Sequence, residues 1–255
     1  MAGSKDYIAV FDSGVGGISV LRQLLAQMPG ERYLYYGDSA NAPYGTRPTE
    51  EIRRLVLAVA EKLVARGVKA LVVACNTATA AAIDTLRATY PDLIVVGIEP
   101  AVKLAAQQFP RGRIGVMATP VTLREEKFRH LVEKVAAQCE IVTLPAPGLP
   151  ELVEQGKANS PESRALLEEL LDPWRGELDA VVLGCTHYPF AAPTIQAILG
   201  EETKLLDGGE GTARETKRRL REAGLLLEGK GEILWENSAR DPQLTQLCNT
   251  LLTQK

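Results

Sequence analysis

The segments Ala70-Leu-Val-Val-Ala-Cys-Asn-Thr77 and Ala180-Val-Val-Leu-Gly-Cys-Thr-His187 decide how the chain is expected to fold. Each is an apolar run that ends in a small residue and is followed by a cysteine and polar residues. They lie 110 residues apart, and a second pair, residues 8–13 and 114–119, repeats at an offset of 106. Two repeats at nearly one spacing predict two similar lobes. The alternative is that apolar strands ending in small residues recur in any α/β protein.

Short apolar runs alternate with amphipathic stretches along the chain, which predicts alternating strands and helices. Several runs are apolar on both faces, as in parallel strands that helices cover on each side. The sequence therefore predicts an α/β fold with two pseudo-symmetric lobes, mainly parallel sheets and an active site in the cleft between the lobes. The predicted strands are residues 7–11, 32–36, 70–74, 93–97, 113–117, 140–144, 180–183 and 204–206.

Three helices carry recognisable start signals. Residues 49–66 place apolar side chains on one stripe, after Pro48 and before Gly67. Ser160 and Pro161 form an N-cap and first-turn pair. Thr122 with Glu125 has the spacing of a capping box, which predicts a helix start at Thr122.

The composition excludes several classes of protein. The 255 residues are 45% hydrophobic and 24% charged, which is ordinary for a globular protein and not for a disordered one. The four cysteines are scattered with no CxxC pair, so neither a zinc site nor a disulfide framework is expected. A net charge of -3 is unsuited to attracting nucleic acid or an anionic membrane.

No targeting segment is recognisable in the sequence. The apolar run at residues 7–11, which follows Met1-Ala-Gly-Ser-Lys-Asp6, is too short for a signal peptide. The longest stretch without charged residues contains His187 and two prolines, so it does not resemble a membrane span. We therefore expect a cytoplasmic protein with reduced thiols.

Cys75 and Cys185 are the strongest candidates for chemistry. Each ends a predicted buried strand and opens a predicted helix, where the free N–H groups and the helix dipole stabilise a thiolate. Ligands bind at this edge of parallel sheets. Cysteine is also a common small buried residue, and that interpretation fits Cys139 and Cys248.

Two similar thiols on facing lobes suit inversion of a stereocentre. One thiolate would remove a proton from one face of a carbon, and the opposite thiol would return a proton to the other face. Because the roles exchange in the reverse direction, the two groups should be chemically alike. A thiol pKa tuned downward from its ordinary value would suit proton transfer near neutral pH.

The loop Asp12-Ser13-Gly14-Val15-Gly16-Gly17 follows the first strand and precedes a helix, an arrangement that binds anions. It partly matches a dinucleotide-binding glycine motif, and Asp38 follows the second strand where a ribose-binding acid would lie. However, Ser19 occupies the third glycine position and Asp12 would repel a pyrophosphate. Asp12 fits better beside a substrate ammonium or a thiol, or as a helix N-cap.

Polar residues surround both candidate thiols. Asn76 and Thr77 follow Cys75, and Thr186 and His187 follow Cys185, so they can donate hydrogen bonds to a carboxylate. His187 is a candidate general acid or base, or a thiolate partner. Tyr44, in the loop at residues 41–45, is expected to form a pocket wall, whereas His130 on an amphipathic helix is expected to be structural.

These motifs closely resemble those of the glutamate racemases, which belong to the aspartate/glutamate racemase superfamily. The resemblance implies interconversion of L- and D-glutamate without pyridoxal phosphate or another cofactor, supplying D-glutamate for peptidoglycan. It also implies a homodimer, and a first domain of residues 1–98 joined by residues 208–255, with a second domain of residues 99–207. The motifs that carry it are Phe11–Gly17, Tyr36–Ser39 with Pro43–Gly45, Ala74–Thr77, Gly97–Pro100 and Gly184–Pro189.

The resemblance also assigns roles to residues. Cys75 and Cys185 are implied to be the two acid/base thiols, assisted by Asp12, His187 and Glu154. The implied substrate-contacting residues are Asp12, Ser13, Pro43, Tyr44, Gly45, Asn76, Thr77, Thr119, Thr186 and His187. The chain departs from the family pattern near Glu154, where Ala146 replaces a usual cysteine and Glu151 a usual proline, and also at Ala118 and at residues 207–209.

Two other functions stay open at this level. One is racemisation of aspartate, of another amino acid or of a hydantoin by the same chemistry; aspartate racemases commonly carry Glu where this chain has His187, which favours glutamate. The other is a non-catalytic binding or inhibitor protein on this fold, against which the two intact thiols count.

Overall fold

The computed structural model describes residues 6–254. Residues 1–5 and 255, which include the ends of the predicted first domain and most of the segment before the first strand, lie outside the described residues. The strands are β1 (Tyr7–Asp12), β2 (Arg32–Gly37), β3 (Ala70–Val73), β4 (Ile94–Gly97), β5 (Arg113–Ala118), β6 (Glu140–Pro145), β7 (Ala180–Leu183), β8 (Lys204–Asp207) and β9 (Glu232–Asn237).

The helices alternate with these strands, as the sequence predicts. They are α1 (Ile18–Gln27), α2 (Thr49–Val64), α3 (Asn76–Thr89), α4 (Val102–Gln108), α5 (Pro120–Arg124), α6 (Glu126–Val135), α7 (Leu149–Glu154), α8 (Pro161–Leu171), α9 (Ala192–Leu199), α10 (Gly209–Glu222) and α11 (Pro242–Thr253).

Two parallel sheets form two lobes. The first lobe contains the sheet β4-β3-β1-β2-β9, and the second contains the sheet β6-β5-β7-β8. The order β2-β1-β3-β4 in the first sheet has the same connectivity as β6-β5-β7-β8 in the second. The two pseudo-symmetric α/β lobes predicted from the repeats are therefore confirmed, with β9 as an additional edge strand of the first lobe.

Burial on both faces explains why the central strands read as continuous apolar runs. In β1, Ile8 and Val10 pack on the side of α1, whereas Ala9 and Phe11 pack on the side of α2 and α3. All six residues of β1 and all four of β3 are buried. Each sheet is thus fixed between helical layers, and its carboxyl edge is a rigid platform for a site.

The structure corrects the predicted capping box. Thr122 lies inside α5, whose N-cap is Thr119, and α6 begins separately after Glu125. Thr119 takes the cap because its side chain accepts a hydrogen bond from the N–H of Thr122, and Pro120 then suits the first turn. The prediction at Ser160 and Pro161 is confirmed, since Ser160 caps α8.

Candidate active site

A cavity of about 330 Å³ lies between the carboxyl edges of the two sheets. Cys75 follows β3 in the first lobe and Cys185 follows β7 in the second, and both line this cavity. Asp12 does not line it but is buried directly behind it. The other residues predicted for the site that line the cavity are Ser13, Pro43, Tyr44, Gly45, Asn76, Thr77, Thr119, Glu154, Thr186 and His187.

Cys75 is the N-cap of α3, as its position in the sequence indicates. Its Sγ accepts a hydrogen bond from the N–H of Ala78 at 3.4 Å and lies 3.5 Å from the Oγ of Ser13. The expected downward shift of the pKa of this thiol is wrong. Burial, reinforced by the nearby Asp12, raises the pKa of Cys75 to about 12 despite these hydrogen bonds.

Cys185 has a different setting. It does not open an α-helix, because a 3-10 helix (Tyr188–Ala191) follows it and α9 begins only at Ala192. Its Sγ instead lies 3.6 Å from Nδ1 of His187. The group in contact with the Cys185 sulfur is therefore an imidazole, and no α-helix begins at this cysteine.

His187 is held by a carboxylate on its far side. Its Nε2 lies 2.7 Å from Oε1 of Glu154, and the same oxygen accepts a hydrogen bond from the N–H of Val15 at 2.7 Å. Burial alone would lower the pKa of His187, but its hydrogen bonds to Cys185 and Glu154 raise it well above the ordinary value. The arrangement favours an imidazolium between the sulfur of Cys185 and the carboxylate of Glu154.

Asp12 sits between the glycine loop and the second lobe. Its Oδ2 accepts a hydrogen bond from the N–H of Gly14 at 3.0 Å, and its Oδ1 accepts one from Oγ1 of Thr186 at 3.1 Å. Complete burial raises its pKa above the ordinary value. It is not the N-cap of α1, which begins at Ile18 after Gly17.

Neutral donors are concentrated beside Cys75. The amide nitrogen and oxygen of Asn76 are buried without a hydrogen-bond partner among the described residues. The hydroxyl of Thr77 lies 3.0 Å from that of Thr119 and 3.3 Å from that of Thr122, so hydroxyls of both lobes meet here. Buried polar groups without partners are costly, and a polar ligand would satisfy them.

Tyr44 forms a wall of the cavity through a fixed loop. Its hydroxyl donates to Oδ2 of Asp38 at 2.7 Å, and the side-chain amide of Asn41 donates to both carboxylate oxygens of Asp38. Asp38 is thus occupied in holding the loop, which argues against the alternative role as a ribose-binding acid.

Several lining residues were not identified from the sequence. Most belong to turns rich in proline and glycine, whose composition signals a loop but not its position; Leu244 comes from α11 and has no local signal. These residues are Ser39, Ala42, Thr46, Pro120, Ala146, Pro147, Gly148, Pro150, Glu151, Gln155 and Leu244.

The remaining candidates lie away from the cavity. Cys139 and Cys248 are buried and do not line it, and His130 is on the exposed face of α6. Within residues 6–254, no group of three or more His, Cys, Asp or Glu side chains is spaced to hold a metal ion. In the same part of the chain, no helix has the length and apolar character needed to cross a membrane.

Known proteins resemble this chain over nearly its full length. Residues 11–216 match the sequence profile of the Asp/Glu/Hydantoin racemase family. The glutamate racemase of Clostridium perfringens strain SM101 is 46% identical over 251 residues, which are 97% of this chain and 96% of that protein.

Solved structures give the same result. The glutamate racemase of Thermus thermophilus in complex with β-chloro-D-alanine superposes with a TM-score of 0.83 at 36% identity, covering 97% of this chain and 93% of that one. The Escherichia coli glutamate racemase in complex with L-glutamate and the activator UDP-MurNAc-ala gives 0.86 at 32% identity, covering 97% and 94%. With its matching sequence profile, its paired lobes and two cysteines that line one cavity, the chain belongs to the Asp/Glu/Hydantoin racemase family.

Proposed function

We propose that the protein interconverts L- and D-glutamate by proton transfer between two thiols, without a cofactor. The observation that carries this proposal is that Cys75 and Cys185, from opposite lobes, line one cavity of about 330 Å³. Two relatives support glutamate as the substrate. The Clostridium perfringens protein, 46% identical to this chain, and the Escherichia coli protein, 32% identical, are glutamate racemases, and the second is in complex with L-glutamate.

The reaction needs one base and one acid on opposite faces of the α-carbon. The thiolate of one cysteine takes the α-proton, the electron pair stays on the carbanion, and the thiol of the other cysteine protonates the opposite face. One thiolate is consumed and one is formed, so charge and protons balance. The reverse reaction uses the same groups with their roles exchanged.

The two thiols have unlike neighbours. Nδ1 of His187, whose pKa is raised, lies 3.6 Å from the sulfur of Cys185, whereas burial and Asp12 raise the pKa of Cys75. The ammonium of a bound amino acid near Asp12 would offset the negative field around Cys75 and lower the pKa of that thiol. Substrate binding thereby helps to make both thiols competent.

The remaining predicted residues would bind or assist. Asn76, Thr77, Thr119 and Thr186 offer donors to the substrate carboxylates, and Ser13 reaches the sulfur of Cys75. Pro43, Tyr44 and Gly45 shape the wall, and Gly45 permits close approach because an added Cβ would lie 2.8 Å from Thr119. Glu154 assists through His187.

We also propose the wider setting that the sequence implies. The product D-glutamate would serve peptidoglycan synthesis in the cytoplasm, and the protein would act as a homodimer without nucleic-acid partners. The domain boundaries would fall at 98/99 and 207/208, since β4 ends at Gly97, β8 ends at Asp207 and β9 pairs with β2.

The deciding experiment follows glutamate and, separately, aspartate in D2O without added cofactor, by circular dichroism and proton NMR. We expect loss of optical rotation only with glutamate, with deuterium at the α-carbon of the product enantiomer. Cys75→Ala and Cys185→Ala should each lose racemisation at least a thousandfold, while Cys139→Ala, away from the cavity, serves as the control.

Each single variant should still eliminate a leaving group from the β-carbon of a suitable glutamate analogue, because elimination needs only one base. Racemisation of aspartate in preference to glutamate would overturn the proposal that glutamate is the substrate. More than a few per cent of wild-type activity in Cys185→Ala would overturn the two-thiol mechanism.

A further inference from the structure

Ser19 reaches the second thiol's loop from the first lobe. Its Oγ, in the first turn of α1, lies 2.9 Å from the carbonyl oxygen of Gly16 and 2.9 Å from that of Thr186. The carbonyl of Gly16 already accepts a hydrogen bond from the N–H of Ser19 at 3.0 Å. Within residues 6–254, the hydroxyl of Ser19 is the only hydrogen-bond donor to the carbonyl oxygen of Thr186.

A hydroxyl carries one hydrogen, so its two acceptors compete. The carbonyl of Gly16 keeps its N–H donor when the hydroxyl turns away. The carbonyl of Thr186, on a residue that is 3% exposed, would be left without a partner. Because an unpaired buried carbonyl is costly, the hydroxyl is better used on Thr186.

The first lobe therefore holds Thr186 at two points. Asp12 accepts a hydrogen bond from its Oγ1, and Ser19 donates one to its carbonyl oxygen. Thr186 stands between Cys185 and His187, and its carbonyl shares a peptide plane with the N–H of His187. Rotation of that plane would move the imidazole of His187 relative to the sulfur of Cys185. In the structure Nδ1 of His187 lies 3.6 Å from this sulfur.

We propose that Ser19 is a positioning residue that sets the geometry of the Cys185–His187 pair from the opposite lobe. The inference rests on the proposed two-thiol function and adds a residue to it. Ser19 occupies the position at which a dinucleotide-binding motif would have its third glycine. That glycine serves close packing, whereas Ser19 supplies a hydroxyl that donates a hydrogen bond. Proton transfer depends steeply on such distances, so a small displacement suffices to slow it.

The test compares Ser19→Ala, Ser19→Thr and Ser163→Ala. Ser163 is a matched control because its buried hydroxyl also donates to a carbonyl, that of Lys157, within the second lobe and away from the cavity. Racemisation is measured in both directions, and the alkylation rates of Cys75 and Cys185 by iodoacetamide are read separately by peptide mass spectrometry.

We expect Ser19→Ala to lower kcat about tenfold with a smaller change in KM, and to change the alkylation rate and pH profile of Cys185 but not of Cys75. Ser19→Thr, which keeps the hydroxyl, should restore both. Ser163→Ala should lose stability without altering kcat or either alkylation rate.

The outcomes separate this inference from the proposed function. Wild-type racemisation that survives Cys185→Ala would remove the two-thiol mechanism itself. If both thiols are required but Ser19→Ala keeps wild-type kcat and Cys185 alkylation, then the hydroxyl of Ser19 has no positioning role and the inference is wrong. A loss that Ser19→Thr does not restore, or one that Ser163→Ala reproduces, would also overturn it.

Discussion

At the scale of single residues, Asp12 shows a conflict between stability and activity. It is a fully buried carboxyl whose pKa is raised by that burial, although Gly14 and Thr186 donate hydrogen bonds to it. Holding a negative charge there costs free energy in the folded state. Sites that serve catalysis commonly carry such groups because their chemistry requires them.

We predict that Asp12→Asn is more stable and much less active. The folded protein holds the Asp12 proton up to a higher pH than the unfolded chain, whose value is near 3.8. The contribution of Asp12 to the free energy of unfolding therefore falls as the pH rises from its unfolded to its folded pKa. The amide of Asn does not ionise, so the variant does not suffer that fall. At pH 7 the free energy of unfolding should therefore be higher than in the wild type, while racemisation falls about a hundredfold.

Urea unfolding at pH 7 and below pH 3.8 measures this, because the gain should vanish at the lower pH. An Asp12→Asn variant that is less stable than wild type at pH 7 would show that the ionised carboxylate is favourable in the fold.

His187 offers a prediction about kinetics. Replacing it with Asn should lower racemisation about a hundredfold, since the partner of the Cys185 sulfur is lost. The equilibrium constant between enantiomers is one, so kcat/KM must fall equally in both directions. The asymmetry between Cys185 and Cys75 can appear only in kcat and KM taken separately. Unchanged kcat and KM in both directions would make His187 a structural residue.

At the scale of elements, the turn between β1 and α1 is built to touch the second lobe. An added Cβ at Gly14 would lie 1.9 Å from Oε1 of Glu154, and one at Gly16 would lie 2.5 Å from Nδ1 of His187. These glycines permit close approach; neither has a positive φ. The turn therefore acts as a surface against which the His187–Glu154 pair is packed.

We predict that Gly16→Ala displaces His187. Kinetics and thermal unfolding should show kcat reduced at least tenfold and a stability loss of about 1–3 kcal/mol. Gly211→Ala is the control, since on α10 the nearest other atom to an added Cβ is 4.0 Å away. It should keep full activity and gain about 0.5–1 kcal/mol. Equal kcat for the two variants would show that the turn accommodates the added methyl group without displacing His187.

Elements differ in how far the sequence predicts them. The core strands can be predicted because burial on both faces makes them apolar runs. The start of α2 at Thr49 can be predicted because Pro48 precedes it. The sequence does not predict the edge strand β9, because Ile233 and Trp235 alternate with Leu234, which is 39% exposed, and because β9 pairs with the distant strand β2. The predicted helix start at Thr122 is wrong because Thr119 offers an equally good cap.

The site divides in the same way. Cys75 and Cys185 could be predicted because each follows a strand end, where ligands bind in parallel sheets, whereas Thr119 was implied by the family resemblance. The raised pKa of Cys75 could not, since it depends on burial and on Asp12, which the folded chain brings close to the thiol. The role of Ser19 is also invisible locally, because its partner lies 167 residues away.

At the scale of the whole molecule, a buried ion pair fixes the segment between α10 and β9. Nζ of Lys69 donates to Oε2 of Glu31 at 2.6 Å and to the carbonyl of Leu225 at 2.8 Å, while Oε1 of Glu31 accepts from the N–H of Leu227 at 2.8 Å. The side chains of Lys69 and Glu31 are 4% and 0% exposed. The pair thereby ties the segment to β2 and β3.

We predict that Lys69→Met destabilises the protein by about 3–5 kcal/mol, because it leaves the Glu31 carboxylate buried without its cation. Glu31→Gln combined with Lys69→Met should cost much less, since the neutral amide still accepts from Leu227. Urea unfolding of both variants measures the difference. A double variant as unstable as the single one would show that packing of the lysine stem, and not its charge, holds the segment.

The return of the chain to the first sheet at β9 has a consequence for synthesis on the ribosome. The strands of the second sheet, β5 to β8, are contiguous, so that lobe can assemble as soon as residue 207 has left the exit tunnel. The first sheet gains its edge strand only later, and α11, which brings Leu244 to the cavity wall, emerges later still. A nascent chain thus holds both thiols before the pocket around them is complete, and the cavity wall is finished only when α11 has emerged.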